Sequence, residues 1–179
     1  MSIKQARFKQ ITVRQCSSNK SKGIVIAGAR TFPCALGRNG LTHFKREGDG
    51  ATPIGHYAIL NGYFRADRTQ RRASGIEFEA IERNHGWCDQ PGDRNYNRFV
   101  RLPYLGRHEK MWREDHLYDF CLILDQNYSK RMRGLGSAIF FHLASKDYKP
   151  TEGCVAIKPA DMHWLLGHIG SQTKLVITQ

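Results

Sequence analysis

No apolar run in the 179-residue sequence approaches the roughly 20 residues that a spanning helix needs, so no membrane span is expected. The opening residues, MSIKQARFKQ, carry charge but no apolar segment of the kind a secretory signal requires. The expected location is therefore cytoplasmic. C-x-x-C pairs are absent. Five cysteines remain, at 16, 34, 88, 121 and 154, an odd set that fits reduced thiols better than a disulfide framework. Cys34 and Cys121 lie in apolar runs, where an inert buried thiol is the default. H-E-x-x-H is also missing, as is any second tight histidine cluster. His85 with Cys88 and Asp89 could pass for metal ligands, but that set alone does not make a metallopeptidase. No metal and no cofactor is expected. Internal repeats and low-complexity tracts are absent as well.

What is present is a chain of one-domain size, read as a single domain over residues 1–179, with 40% hydrophobic residues. That excludes global disorder. The formal charge of +12 favours anionic partners. The basic residues are scattered, apart from Arg65, Arg68, Arg71 and Arg72, and Lys130, Arg131 and Arg133. No nucleic-acid motif accompanies them, so nucleic acid is not the expected partner. A non-enzymatic basic module that binds RNA or DNA remains the competing class.

Short strands dominate the pattern. Residues 6–14 alternate as a first strand, and 17–22 form a polar turn. Gly23–Gly28 and Thr31–Gly37 make a hairpin. Arg38–Thr52 is a glycine-rich charged loop in which Asp49 caps a turn. Pro53–Phe64 is a strand with His56, Ala58, Leu60 and Gly62 on one face. Gly75–Glu82 is an edge strand, and 84–97 is a turn-rich loop. Phe99–Leu102 is a strand end, and Lys110–Asp119 reads ambiguously, with a helical turn as one reading. Phe120–Leu124 is a continuous apolar run, as a central strand requires. Pro159 opens a helix in which Met162, Leu165, Leu166 and Ile169 form one buried stripe, closed by Gly167 and Gly170. Lys174–Thr178 is the closing strand.

The chain is organised around Gly136–Ile157. Ala138–Phe141 is an apolar strand that delivers His142. A polar loop follows, with Lys146, Asp147, Lys149 and Pro150. Thr151-Glu152-Gly153-Cys154 then leads into Val155-Ala156-Ile157. Two strand ends can hold an imidazole and a thiol within reach, the minimum for a cysteine nucleophile. Gly153 allows a sharp turn that exposes the thiol. The amides of Cys154, Gly153 and Glu152 are candidates for an oxyanion hole.

This stretch resembles the catalytic core of the L,D-transpeptidase (YkuD-type) family, in which a strand-end His is followed by Ser/Thr-His-Gly-Cys. Arg46–Gly55 is similar to that family's G-D-G-x-T-P-x-G segment. Glu152 stands where many members have His, and Ala156 where they often have Arg or Asn. The T-E-G-C-V-A form, with Gly86-Trp87-Cys88-Asp89 and Tyr96-Asn97, resembles a short branch that includes cytosolic L,D-carboxypeptidases. The resemblance implies a mainly β fold, a YkuD-like β-sandwich or open barrel of short strands with one C-terminal helix after the cysteine. It also implies Cys154 as nucleophile, His142 as general base and the Leu143 carbonyl as the group that orients the ring. The implied partners are peptidoglycan stem peptides, free or linked to sugar or nucleotide. The expected reaction is removal of the terminal D-alanine from a tetrapeptide in murein recycling, with L,D-transpeptidation as the alternative. Glu152, Arg101, Arg98, Trp87, Asp89, Tyr96 and Asn97 are the candidate substrate-binding residues. Oligomeric state is left open.

Overall fold

The structure, a computed structural model, describes residues 7–70 and 74–179. Arg71 and Arg72 of the first basic cluster, and Ala6 of the expected first strand, lie outside the described residues. In chain order the elements are β1 (Gln10–Cys16), β2 (Asn19–Ala27), β3 (Arg30–Ala35), β4 (Leu41–Thr42), β5 (Thr52–Pro53), β6 (Gly55–Phe64) and β7 (Phe78–Ala80). β8 (His85–Cys88), β9 (Arg98–Arg101), β10 (His108–Lys110), β11 (Phe120–Leu124), β12 (Phe140–Leu143) and β13 (Val155–Ile157) follow. Then come helix α1 (Pro159–Leu166) and β14 (Lys174–Thr178). Among the described residues the fold is mainly β with one helix, as the sequence implied.

The main sheet closes on itself. Its hydrogen-bonded order is β11-β12-β13-β3-β2-β1-β14-β6, and β6 pairs again with β11. The ring itself has no free edge; β7 adds to the sheet outside it, parallel to the end of β6. Side chains alternate across each strand, so Ile11, Val13, Val25, Phe32, Leu175 and Ile177 point inward. There they form one cluster with Leu122, Phe141 and Val155. Met162, Leu165, Leu166 and Ile169 from α1 and the turn after it join the same cluster. Pro159 opens the helix and Gly167 caps it.

β11, β12 and β13 are buried on both faces, which explains their unbroken apolar runs. Their outward residues Cys121, Ile123, Phe140 and Cys154 enter a second cluster with Trp87, Met111 and Tyr118. A separate three-stranded sheet, β10-β8-β9, contributes Trp87 and partly covers this cluster.

Several boundaries differ from the sequence reading. β1 starts at Gln10, and β2 starts at Asn19 within the expected turn. The 84–97 loop contains β8, which finds partners on both sides. Lys110–Asp119 holds no helix; it is the end of β10 followed by turns. Gly62 also changes face. Ile59 and Gly62 both lie opposite inward residues of β11, Leu124 and Leu122, so an irregularity between them resets the alternation. An added Cβ at Gly62 would meet Phe78 at 2.3 Å, so β7 fits only because this position is bare.

Leu122 is fully buried in the strand that closes the ring. Leu122→Ala should lower stability by about 2–5 kcal/mol in urea unfolding. A loss below about 1 kcal/mol would mean that the ring interior tolerates a cavity at its seam.

Candidate active site

The two candidate catalytic side chains are brought together by one strand pair. β12 and β13 run parallel, with Phe141 opposite Val155 and His142 opposite Ala156. Phe140 and His142 share the outward face of β12. Cys154, one step before Val155, emerges on that same face, and the Phe140 amide N–H donates to Cys154 Sγ at 3.3 Å. Cys154 is thus a diagonal neighbour of His142 across two paired strands. Both line a cleft of about 710 Å³.

The turn before Cys154 is held by its own side chains. Thr151 Oγ1 donates to the Cys154 carbonyl at 2.7 Å and accepts from the Gly153 N–H at 3.1 Å. The Gly153 amide is therefore already engaged, which corrects the expectation that it lines an oxyanion hole. Gly153 has φ +135°, a conformation that disfavours a side chain. A Cβ there would meet the Ala51 carbonyl oxygen at 2.8 Å and Lys45 Nζ at 3.3 Å. Asp49 shapes the facing loop by accepting from the amides of Arg46 (2.7 Å) and Ala51 (2.9 Å). It also pairs with Lys45, whose side chain is almost fully buried. Gly136 opens the path for that lysine, since a Cβ there would lie 2.8 Å from Lys45 Cγ.

His142 Nδ1 lies 2.9 Å from the Leu143 carbonyl oxygen. A carbonyl only accepts, so the neutral ring carries its proton on Nδ1 and presents Nε2 as a base. Burial pushes the imidazole down to about 4, against the opposing Leu143 hydrogen bond. Burial also pushes the Cys154 thiol up to about 12, with the Phe140 N–H and the Lys45 ammonium pulling the other way. The resting pair is therefore neutral. Cys154 Sγ donates to the Ala138 carbonyl at 3.2 Å, so the thiol keeps its proton and points it at the backbone at rest.

Charged groups surround this pair. Arg113 donates to Glu109 at 2.7 Å and to Asp115 at 2.9 Å, and its guanidinium lies 5.0 Å from the centre of the Tyr118 ring. Tyr118 in turn sits edge-on to His142 at 5.2 Å. Glu47 accepts from Tyr96 at 2.5 Å and from Ser137 at 2.7 Å. Asp89 pairs with Arg107 at 3.0 Å. Lys45, Glu47, Arg107, Glu109, Arg113, Asp115, Tyr118 and Lys149 all line the cleft. Apart from Lys149, named only as part of the polar loop, none of these was singled out from the sequence. The resemblance at Arg46–Gly55 was the available signal for Lys45 and Glu47.

Of the expected substrate-binding residues, Glu152 and Asp89 line the cleft with Cys154, His142 and Leu143. Glu152 is largely exposed and pairs with Arg38. The other five lie outside the lining, and each has a partner elsewhere. Arg101 pairs with Glu82 at 3.1 Å. Arg98 donates to the Tyr128 carbonyl and stacks 3.9 Å from that ring's centre. Trp87 is buried and donates to Asn97 Oδ1 at 3.0 Å. Asn97 Oδ1 also accepts from the Ala138 N–H at 3.1 Å. Asn97 and Tyr96 thus reach the site through Ala138 and Glu47, as supports behind the wall. Among the described residues no three of His, Cys, Asp and Glu gather as a metal site, and the five cysteines are unpaired.

Alkylation of Cys154 by iodoacetamide should rise about tenfold per pH unit from pH 7 to 10, because the thiolate fraction does so well below its pKa. A plateau beginning below pH 7 would show a resting thiolate–imidazolium pair instead. Lys45→Met should slow this alkylation further, by removing the nearest ammonium from the nucleophile turn. The depressed His142 pKa also has a stability consequence. The unfolded chain protonates this ring near 6.5, and the folded chain only near 4. Stability should rise with pH across that window, by on the order of 3 kcal/mol from this group. Urea unfolding of His142→Gln between pH 4 and 7 should show a flatter profile than the parent.

The family model for the L,D-transpeptidase catalytic domain (YkuD) matches residues 21–177. No curated protein matches the chain. Among solved structures, the chain is similar to L,D-transpeptidase 1 of Mycobacterium tuberculosis. Identity is 14%, the match covers 95% of this chain and 62% of that one, and the TM-score is 0.41. It is also similar to L,D-transpeptidase 3 of Mycobacterium tuberculosis in complex with a faropenem-derived adduct, at 11% identity, 94% and 60% coverage and a TM-score of 0.43. The chain spans about three-fifths of the length of these structures. With the family model running from β2 into β14, across both strands of the Cys154–His142 pair, the chain belongs to the L,D-transpeptidase catalytic domain family.

Proposed function

We propose that the protein is a cysteine L,D-carboxypeptidase that removes the terminal D-alanine from a peptidoglycan stem tetrapeptide. The observation that carries this reading is the Cys154–His142 pair set in a cleft of about 710 Å³ with charges of both signs. That is the volume of a site for one small ligand, and the proposed substrate is a single short peptide with several carboxylates and an amine. Lys149 lies on the cleft wall outside every described ion pair and is suited to the D-alanine carboxylate. A cytoplasmic location, where free recycled peptides are trimmed, belongs to the same proposal.

The reaction begins when substrate entry turns the S–H of Cys154 away from the Ala138 carbonyl and the proton passes from Sγ to His142 Nε2. Sγ attacks the carbonyl of the diamino-acid residue. Negative charge develops on that oxygen, and Lys45 Nζ beside Gly153 supplies positive charge where the Gly153 amide is already spent. The C–N bond breaks, and the D-alanine nitrogen leaves with the proton from His142. Water then gives a proton to Nε2 and attacks the thioester, and Sγ departs to regain its proton. An amine in place of that water would give transpeptidation.

The test is mass spectrometry of a purified stem tetrapeptide incubated with the protein, with and without excess D-amino acid, beside Cys154→Ala. Tripeptide plus free D-alanine, absent in the variant, is the expected result. An exchanged or cross-linked product would replace hydrolysis with transpeptidation. Cleavage that survives in Cys154→Ala would remove the thioester mechanism.

A further inference from the structure

The positive charge of this chain is concentrated at one end of the sequence. Residues 1–46 hold ten Lys and Arg and no Asp or Glu; the first carboxylate is Glu47. The rest of the chain is close to neutral. The fold sets the strands of this segment side by side on one wall, whereas Arg38 and Lys45 lie on the cleft side, paired with Glu152 and Asp49. β3, β2 and β1 are consecutive in the ring, and β14, which also lacks a carboxylate, lies next to β1.

Alternation decides what that wall shows. Ile11, Val13, Val25, Leu175 and their like fill the interior, so the intervening residues face outward. These include the exposed cations Arg14, Lys20, Lys22 and Lys174, with Ile24 and Ile26 half-buried between them. Arg14 lies directly opposite Ile24. None of these four cations takes part in any of the described ion pairs. Arginines elsewhere do pair, as Arg68 does with Glu114 and Asp119. The charge on this wall is therefore unneutralised by the protein itself.

Position matters as much as charge. In the ring order, β1 is four strands from β12 in either direction. The β1-β14 part of the cationic wall is thus diametrically opposite the strand pair that carries Cys154 and His142, while β3 at its other end adjoins β13. The outside of a closed ring is convex across its strands, and the outward positions of β1, β2, β3 and β14 hold no aromatic side chain. Single-stranded nucleic acid calls for aromatic stacking platforms along a basic groove. A convex wall of long cations with short aliphatics between them instead suits a flat anionic surface. No described helix is long and apolar enough to cross a membrane, so attachment through this wall would be peripheral. We propose that the β3-β2-β1-β14 wall docks on an anionic phospholipid bilayer and holds the catalytic cleft facing away from it.

Each cation near such a surface multiplies affinity about fivefold, and the effect fades over a Debye length. The test is co-sedimentation of the full chain with vesicles of about one-third phosphatidylglycerol in phosphatidylcholine, beside pure phosphatidylcholine vesicles. Binding to the anionic vesicles only, lost in high salt, is expected. The triple variant R14E/K22E/K174E should bind at least roughly a hundredfold more weakly. Its thermal midpoint and Cys154 alkylation rate should match the parent, because none of the three residues lines the cleft. The proposal is overturned if the parent ignores anionic vesicles at low salt, or if the triple variant binds them equally well. It is also overturned if single-stranded RNA binds this wall more tightly than the vesicles and displaces them. None of these readouts depends on which peptide the cleft accepts.

Discussion

The parallel pairing of β12 with β13 is the constraint on which the rest of the molecule depends. A strand offers one set of residues to each face. In this pair Phe141, Leu143, Val155 and Ile157 go to the ring interior. Phe140, His142, Cys154 and Ala156 are left for the outer face, where the cleft lies. The same hydrogen bonds that close the barrel therefore set the separation of nucleophile and base. A one-residue slip of either strand would send its catalytic side chain into the hydrophobic interior. The register is protected because that slip would also expel two large apolar residues.

Burial of the pair sets its chemistry. Both groups are buried, and burial disfavours the charged form of each. The site holds a neutral thiol whose proton points at the Ala138 carbonyl, and a neutral imidazole whose tautomer is set by Leu143. Ala138 is itself in a left-handed conformation, φ 50°, steadied by Asn97, which has φ 56°. The thiol's resting partner is thus the carbonyl of a strained residue whose own N–H is held by the Asn97 side-chain oxygen. This explains why Asn97 and Tyr96 belong to the site although neither lines the cleft: they fix the backbone and the carboxylate that do.

The sequence made the ring's busiest strands legible because burial on both faces leaves an unbroken apolar run. Phe120–Leu124 and the Ile139–Phe141 lead-in to His142 could be read for that reason, and Gly153-Cys154 stood out beside them. β8 could not be read this way. His-Gly-Trp-Cys has no alternation, and it is a strand only because β9 and β10 flank it. The face change at Gly62 was equally hidden, since an irregularity in β6 pairing leaves no trace in the hydrophobic pattern. The cleft wall was least visible. Glu109, Arg113 and Asp115 look like ordinary surface charges along the chain, and only tertiary folding makes them partners of each other beside Tyr118. Arg98 and Arg101 show the converse, because their charges are taken up by structural contacts away from the cleft.

Charge is divided between the two sides of the ring, and the division follows from topology. Every carboxylate of the cleft comes from Glu47 or later in the chain, where acids and bases alternate closely enough to neutralise one another in pairs. The acid-free segment builds β1, β2 and β3, strands whose outward faces carry the exposed cations Arg14, Lys20 and Lys22. Had a few acids been spread through that segment, the far wall would have been as neutral as the cleft rim. Electrostatic attraction would then orient the molecule by whichever side happened to be more basic. With Arg14, Lys22 and Lys174 unpaired on the far wall and no carboxylate among its strands, an approaching anionic surface is drawn to the side that has no chemistry to perform. The cleft, balanced in sign, stays open to a small zwitterionic ligand.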